Sequence, residues 1–64
     1  MLTAIDRVIE TLRCSPGVDN VELARQAKVE LKEAMLICRY LEMLNEQRRM
    51  PGEDGKTVVI MLDI

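Results

Sequence analysis

Six cationic side chains from residue 28 onward are the groups in this sequence best suited to binding chemistry. Lysine and arginine neutralise phosphate groups, and arginine also offers a planar fork of donors to an oxyanion. Carboxylates at Glu30, Glu33, Glu53 and Asp54 lie among these cations and oppose their positive charge. The sequence therefore predicts weak binding to a polyanion by a single copy of the chain. The six cations are Lys28, Lys32, Arg39, Arg48, Arg49 and Lys56.

The charge balance of the whole chain does not favour a polyanion partner either. The 64 residues include nine basic and eleven acidic side chains, and the pI is near 5.0. A strong nucleic-acid footprint is a basic domain with a pI above about 9. The apolar fraction of 48% still predicts one folded domain. Its core must be aliphatic, because the chain has one Tyr and neither Phe nor Trp.

No set of side chains in the sequence matches a catalytic or metal-binding motif. Without histidine, a Ser–His or Cys–His nucleophile cannot be built. Cys14 and Cys38 are too few for a structural zinc site, which needs four ligands. Gly17, Gly52 and Gly55 do not have the spacing of a phosphate-binding loop. We therefore expect neither an enzyme nor a bound cofactor.

The two cysteines also bear on the compartment in which the protein works. The first ten residues do not resemble a secretory signal, and no stretch approaches the roughly 20 apolar residues of a membrane span. We expect a cytoplasmic protein with reduced thiols and no membrane contact. Cys38 would then be a small core residue, and Cys14 a residue at the edge of a loop.

Apolar residues at three- and four-residue spacing predict three helices. Helix 1 runs from about Thr3 to Arg13, helix 2 from about Asn20 to Ala27, and helix 3 from about Glu30 to Leu44. One broad apolar face of helix 3 contains Leu31, Ala34, Ile37, Cys38, Leu41 and Leu44. The predicted common core consists of Ile5, Ile9, Leu12, Leu23, Ala34, Cys38 and Leu41.

The ends of these helices carry recognisable signals. Thr3 and Asp6 resemble a capping pair for helix 1. Asp19 can cap helix 2, and Glu22 can reach back to it. Asn45 suits the left-handed residue that ends helix 3, so we expect a sharp turn there.

The last third of the sequence predicts a β-hairpin. "EQRRM" forms the first strand, "PGEDG" the tight loop, and "KTVVIMLDI" the second strand. The second strand is apolar on both faces, with Val58, Ile60 and Leu62 on one and Val59 and Met61 on the other. Such a strand is either buried on both faces or offers a face or an edge to another chain.

The order of three helices and a hairpin resembles a winged helix-turn-helix domain over nearly the whole chain. The resemblance implies a mostly α fold with a small β-hairpin, in one domain over residues 1–64, similar to small bacterial or phage transcriptional regulators. One small bacterial type in this superfamily, an accessory protein of ferrous-iron transport, carries a cluster of cysteines in its wing. The wing here, "PGEDG", has no cysteine, so the resemblance does not imply an iron–sulfur cluster. The residues that carry the resemblance are "ELA" from Glu22 to Ala24, Ala27, Val29 in the turn, Ala34, Cys38, Leu41, Leu44 and Asn45.

The resemblance also implies where double-stranded DNA would bind. The outward face of helix 3 enters the major groove in this superfamily, and the wing contacts the backbone. Lys32, Arg39 and Tyr40 suit phosphates or base edges, and Leu36 suits a thymine methyl group. The residues implied as DNA contacts are Lys28, Lys32, Glu33, Leu36, Arg39, Tyr40, Arg48, Arg49 and Lys56.

The outward face of helix 3 has a second interpretation. Leu36 and Met43 lie seven residues apart with Tyr40 between them, and exposed apolar stripes usually mark interaction sites. The same fold would then be a protein-interaction module without DNA binding. These residues and the C-terminal strand are also the expected contacts of a homodimer or a protein partner.

Overall fold

Three helices followed by a two-stranded hairpin form the fold in the computed structural model, which describes residues 2–63. Ile64, the end of the predicted second strand, lies outside the described residues. Each predicted element is present, with ends shifted by one or two residues in most cases. The elements are α1 (Ala4–Cys14), α2 (Asn20–Ala27), α3 (Leu31–Met43), β1 (Gln47–Pro51) and β2 (Val58–Leu62).

The helix ends follow the predicted capping chemistry with one exception. Thr3 and Asp6 form a complete capping box at α1, and the Asp19 carboxylate accepts from the backbone N–H of Glu22 at α2. The prediction that the Glu22 side chain reaches back to the N-cap is wrong. Its carboxylate accepts instead from the side chains of Arg25 and Gln26, about one turn further along the helix. These hydrogen bonds, the one from Arg25 foremost, lower the pKa of Glu22 to about 2.

The sheet contains a third segment that the sequence pattern did not predict. β1 and β2 pair antiparallel, with Gln47 opposite Leu62 and Arg49 opposite Ile60. Val18 forms an isolated bridge with Ile60 on the other side of β2. The Ile60 N–H donates to the Val18 carbonyl (2.8 Å), and its carbonyl accepts from Gly17 (3.0 Å). At Ile60, β2 therefore has backbone partners on both sides, and the Ile60 side chain is fully buried in the core cluster.

The core lies between the helices and one face of this sheet. Burial of Leu12, Leu23, Ala34, Cys38 and Leu41 is confirmed. Ile9 is half-buried against the same cluster. The prediction for Ile5 is wrong: it is 40% exposed, because the face of α1 that meets the core carries Ala4, Val8 and Leu12, and Ile5 lies beside that face. The buried cluster consists of Val8, Leu12, Leu23, Ala27, Ile37, Cys38, Leu41 and Ile60.

The predicted apolar face of α3 is buried only in its middle. Leu31 at the first position of the helix and Leu44 at its C-cap are both exposed, so the two ends of this face lie outside the core. Cys38 is buried, as predicted, and burial raises the pKa of its thiol to about 11. Cys14 is an exposed free thiol at the last position of α1. No helix within residues 2–63 is long and apolar enough to cross a membrane.

Candidate nucleic-acid interface

The turn between α2 and α3 sets the direction of the candidate recognition helix. Lys28 ends α2 in the left-handed conformation, with φ of 59°. Its side chain is exposed at the point where the chain leaves α2. The Val29 N–H then donates to the Ala24 carbonyl (3.1 Å), and α3 begins two residues later. Glu30 is the N-cap of α3 but makes no side-chain capping bond. Its carboxylate therefore does not stabilise the end of α3 through a hydrogen bond.

The outward side of α3 carries an alternation of cationic and apolar side chains. Ala34, Ile37, Cys38 and Leu41 point into the core. At about 100° per residue, the opposite side of the helix is centred on positions 32, 36, 39 and 43. We call these four exposed residues, in order, the outward stripe: Lys32, Leu36, Arg39 and Met43. Glu33 and Tyr40 are exposed at its flank.

The N-terminal half of the outward stripe borders a shallow groove. The groove has a volume of about 340 Å³ and is lined by Leu31, Lys32, Met35, Leu36 and Arg39. A second depression of about 350 Å³ lies beside it, where Glu30 and Glu33 face the same two stripe residues, Lys32 and Leu36. On the side of the groove, the surface of α3 is thus apolar and bordered by cations. On the side of the second depression, it carries both carboxylates and a cation.

The two arginines of β1 lie on opposite faces of the hairpin, because side chains alternate along a strand. Arg49 shares the face of Ile60, its partner across the hairpin, and its Nε lies 3.4 Å from the Glu42 carboxylate on α3. Arg48 is on the other face, with its Nε 3.8 Å from the Asp63 carboxylate. Both arginines are therefore exposed but already paired, and they do not form one positive patch.

The wing loop presents a single cation on a well-defined turn. The Asp54 carboxylate accepts from the backbone N–H groups of Lys56 and Thr57 (both 2.9 Å) and from the Thr57 hydroxyl (2.7 Å). These bonds, those from Thr57 foremost, lower the pKa of Asp54 to about 2. Lys56 and Arg49 line the same depression of about 400 Å³ on the wing.

Ion pairing separates the nine cations of the chain into two groups. Within residues 2–63, Arg13, Arg25, Arg48 and Arg49 have a carboxylate within 4.0 Å. The other five have none in that part of the chain, and one of them, Arg7, lies on α1. The remaining four lie on α3, at the turn before it or on the wing: Lys28, Lys32, Arg39 and Lys56.

Two residues near this surface have contacts or burial that their sequence pattern does not predict. Glu42 holds Arg49 against α3, and the sequence gives no sign of this contact because it depends on how the hairpin folds back. Gln47 is only 3% exposed, at a position where the predicted strand carried no sign of burial. Neither its amide oxygen nor its amide nitrogen has a hydrogen-bond partner in the described part of the chain. Among residues 2–63, no group of three or more potential metal ligands comes together.

No protein-family model matches this chain, and no curated protein matches it in sequence. Among solved structures, it is similar to the PcaV transcriptional regulator from Streptomyces coelicolor, which was solved in complex with its natural ligand. The superposition has a TM-score of 0.85 at 12% sequence identity. It covers 98% of this chain and 45% of the regulator, so the chain spans less than half the length of that protein. The chain therefore has the winged helix-turn-helix fold.

Proposed function

We propose that this chain is a small DNA-binding transcriptional regulator, in which α3 enters the major groove and the wing loop contacts the phosphate backbone. The observation that carries the proposal is the grouping of unpaired cations. Four of the five cations without a carboxylate partner in residues 2–63 are Lys28, Lys32, Arg39 and Lys56. The turn, helix and wing that carry them are the parts with which this fold class approaches DNA. Such a role implies a cytoplasmic protein.

The side chains of α3 divide into three proposed roles. Lys32 and Arg39 neutralise phosphates or donate to base edges, because both are exposed and free of ion pairs in the described residues. Tyr40, at the flank of the outward stripe, donates a hydrogen bond from its hydroxyl group to a phosphate. Glu33 accepts from a cytosine amino group or, near a phosphate, reduces affinity.

The arginines of β1 have a smaller proposed role than the unpaired cations. Binding of Arg49 to a phosphate requires it to leave Glu42 on α3, and Arg48 would have to leave Asp63. Their attraction to DNA is therefore partly offset by the loss of these exposed ion pairs, which are each worth about 1 kcal/mol or less. We expect Arg49 to contribute more than Arg48, since it lies on the face of the wing that is directed towards α3.

Two copies of the chain would compensate for the small number of contacts made by one. We propose a homodimer formed through the outer face of the hairpin, where Met50, Val59 and Met61 lie beside Pro16 and Gly17. This face carries the second apolar side of β2 and leaves α3 free. Sedimentation at tens of micromolar should then give a mass near twice 7.3 kDa.

A titration of DNA binding against salt concentration tests the proposed interface. The double change Lys32→Ala with Arg39→Ala removes two unpaired cations. The slope of log affinity against log salt should become shallower by up to about two units. The matched control is Arg13→Ala with Arg25→Ala, which removes two exposed cations that are paired on α1 and α2. No binding to any duplex at low salt, or an equal change in slope in both double variants, would contradict the proposal.

A second candidate function is a protein-interaction module, and the exposed apolar residues of α3 favour it. Leu36 is 59% exposed, Tyr40 51% and Met43 81%. In this case Leu36→Asp and Met43→Asp should abolish the activity of the protein in cells without lowering its melting temperature. The double change of Lys32 and Arg39 should leave that activity intact. The double variant of Lys32 and Arg39 therefore separates the two functions, because it should lose activity only if the protein acts through DNA.

A further inference from the structure

The outward stripe of α3 contains apolar side chains where a solvated helix face would be polar. Leu36 lies between Lys32 and Arg39, and it is 59% exposed. Leu36 and Met35 also line the groove that these two cations border. No other element in residues 2–63 covers this surface. An apolar side chain at this position therefore points to an apolar feature on the binding partner.

The major groove of DNA offers one apolar group on its base edges, the C5-methyl group of thymine. The other groups that distinguish the base pairs there are hydrogen-bond donors and acceptors, which a leucine side chain cannot satisfy. A leucine between two cations therefore fits a groove in which thymine lies next to bases or phosphates that the cations contact.

The spacing along the helix identifies the neighbouring contact. Leu36 and Arg39 are three residues apart, which is about 4.5 Å along the helix axis. Successive base pairs are about 3.4 Å apart. The two side chains therefore reach the same base step. Arginine binds guanine best, because its fork donates to O6 and N7 together.

We infer that Leu36 is a specificity-determining residue that contacts a thymine methyl group, next to a guanine bound by Arg39. The inference rests on the proposed function, since it specifies which sequences α3 would select. It predicts that the preferred duplex contains a thymine and a guanine at adjacent positions. It also predicts that affinity depends on a methyl group that makes no hydrogen bond.

Exchange of thymine for deoxyuridine tests this inference, because it removes only the methyl group. Binding sites are first selected from random duplexes at low salt, and each dT of the selected site is then replaced in turn by dU. One replacement should lower the affinity of the parent protein about fourfold, which corresponds to burial of one carbon group at about 0.8 kcal/mol. For Leu36→Ala, the same replacement should have no effect. Arg39→Ala should remove the preference for the adjacent guanine.

The matched control is Leu2→Ala, because Leu2 is 57% exposed, close to the exposure of Leu36, and lies outside α3. This variant should keep the fourfold loss with dU. A fourfold loss that persists in Leu36→Ala would overturn the inference while leaving the proposed function intact. A selected site in which no replacement of dT by dU lowers the affinity would also overturn the inference and leave the proposed function intact. If no duplex is enriched, the proposed function fails, and the inference fails with it.

Discussion

Gln47 is an unusual residue in this small core, because its side chain is polar. It is almost fully buried at the first position of β1, and both of its amide atoms lack a partner in residues 2–63. A buried polar group without a hydrogen bond costs stability, because it has lost its contacts with water. The Gln47 side chain therefore lowers the stability of the fold.

Replacement of Gln47 by methionine, which has a similar shape, should stabilise the protein. Removal of the unsatisfied amide should raise the free energy of unfolding by about 1 kcal/mol. In a domain of this size, that gain corresponds to a rise in melting temperature of about 4–8 °C. Thermal unfolding followed by circular dichroism measures the change. The control is Gln26→Met on the exposed side of α2, and a lower melting temperature for Gln47→Met would show that the amide is satisfied in solution.

At the scale of elements, the helices were predictable and the sheet was predictable only in part. Asp19, Thr3 and Asn45 mark helix ends through local chemistry, and Asn45 indeed has a φ of 59°. The bridge between Val18 and Ile60 depends instead on the packing of distant segments, which no local pattern encodes. The same reason explains why the ion pairs of Arg48 and Arg49 were not predicted.

The turn of the wing depends on one carboxylate, so it should respond to acid. The folded pKa of Asp54 is about 2, below its ordinary value of 3.8. A lowered pKa means that the stabilisation is complete well above the ordinary pKa of 3.8 and is lost progressively as the pH falls through 3.8 and then through about 2. The protection factors of the Lys56 and Thr57 amides, which compare the observed exchange rate with the intrinsic rate at the same pH, should then fall, as measured by NMR.

The substitution Asp54→Ala should reproduce the effect of acid at neutral pH. Exchange at Lys56 and Thr57 should be fast, while the amides of α1 to α3 keep their protection, because the wing loop is exposed and lies outside the core. Glu53→Ala, a change of the adjacent exposed carboxylate, is the control. Equal protection of the two wing amides in the parent and in Asp54→Ala would show that the carboxylate does not hold the turn.

At the scale of the whole molecule, stability depends on a few aliphatic side chains. Leu41 is 1% exposed in the middle of the core, and α3 contacts the other helices and β1 around it. Leu41→Ala should lower the free energy of unfolding by about 2–5 kcal/mol, as core leucine truncations do. A small domain has only about 5 kcal/mol or little more in total.

Chemical denaturation of Leu41→Ala measures this loss, and the variant should be largely unfolded near body temperature. Leu44→Ala, a truncation of the exposed leucine at the C-cap of α3, is the matched control and should unfold like the parent. A parent-like midpoint for Leu41→Ala would mean that the core is centred elsewhere.

The bridge between Val18 and Ile60 has a consequence for how the protein is made. The bridge joins the turn after α1 to β2, so it can form only after the segments between them, and β2 itself, have been synthesised. On the ribosome, the three helices would emerge first and would remain loosely assembled, since β2, whose Ile60 completes their core, is not yet available. Folding should therefore begin late and then proceed in one step, with α1, α2 and α3 exposed to chaperones and proteases until Ile60 has left the exit tunnel.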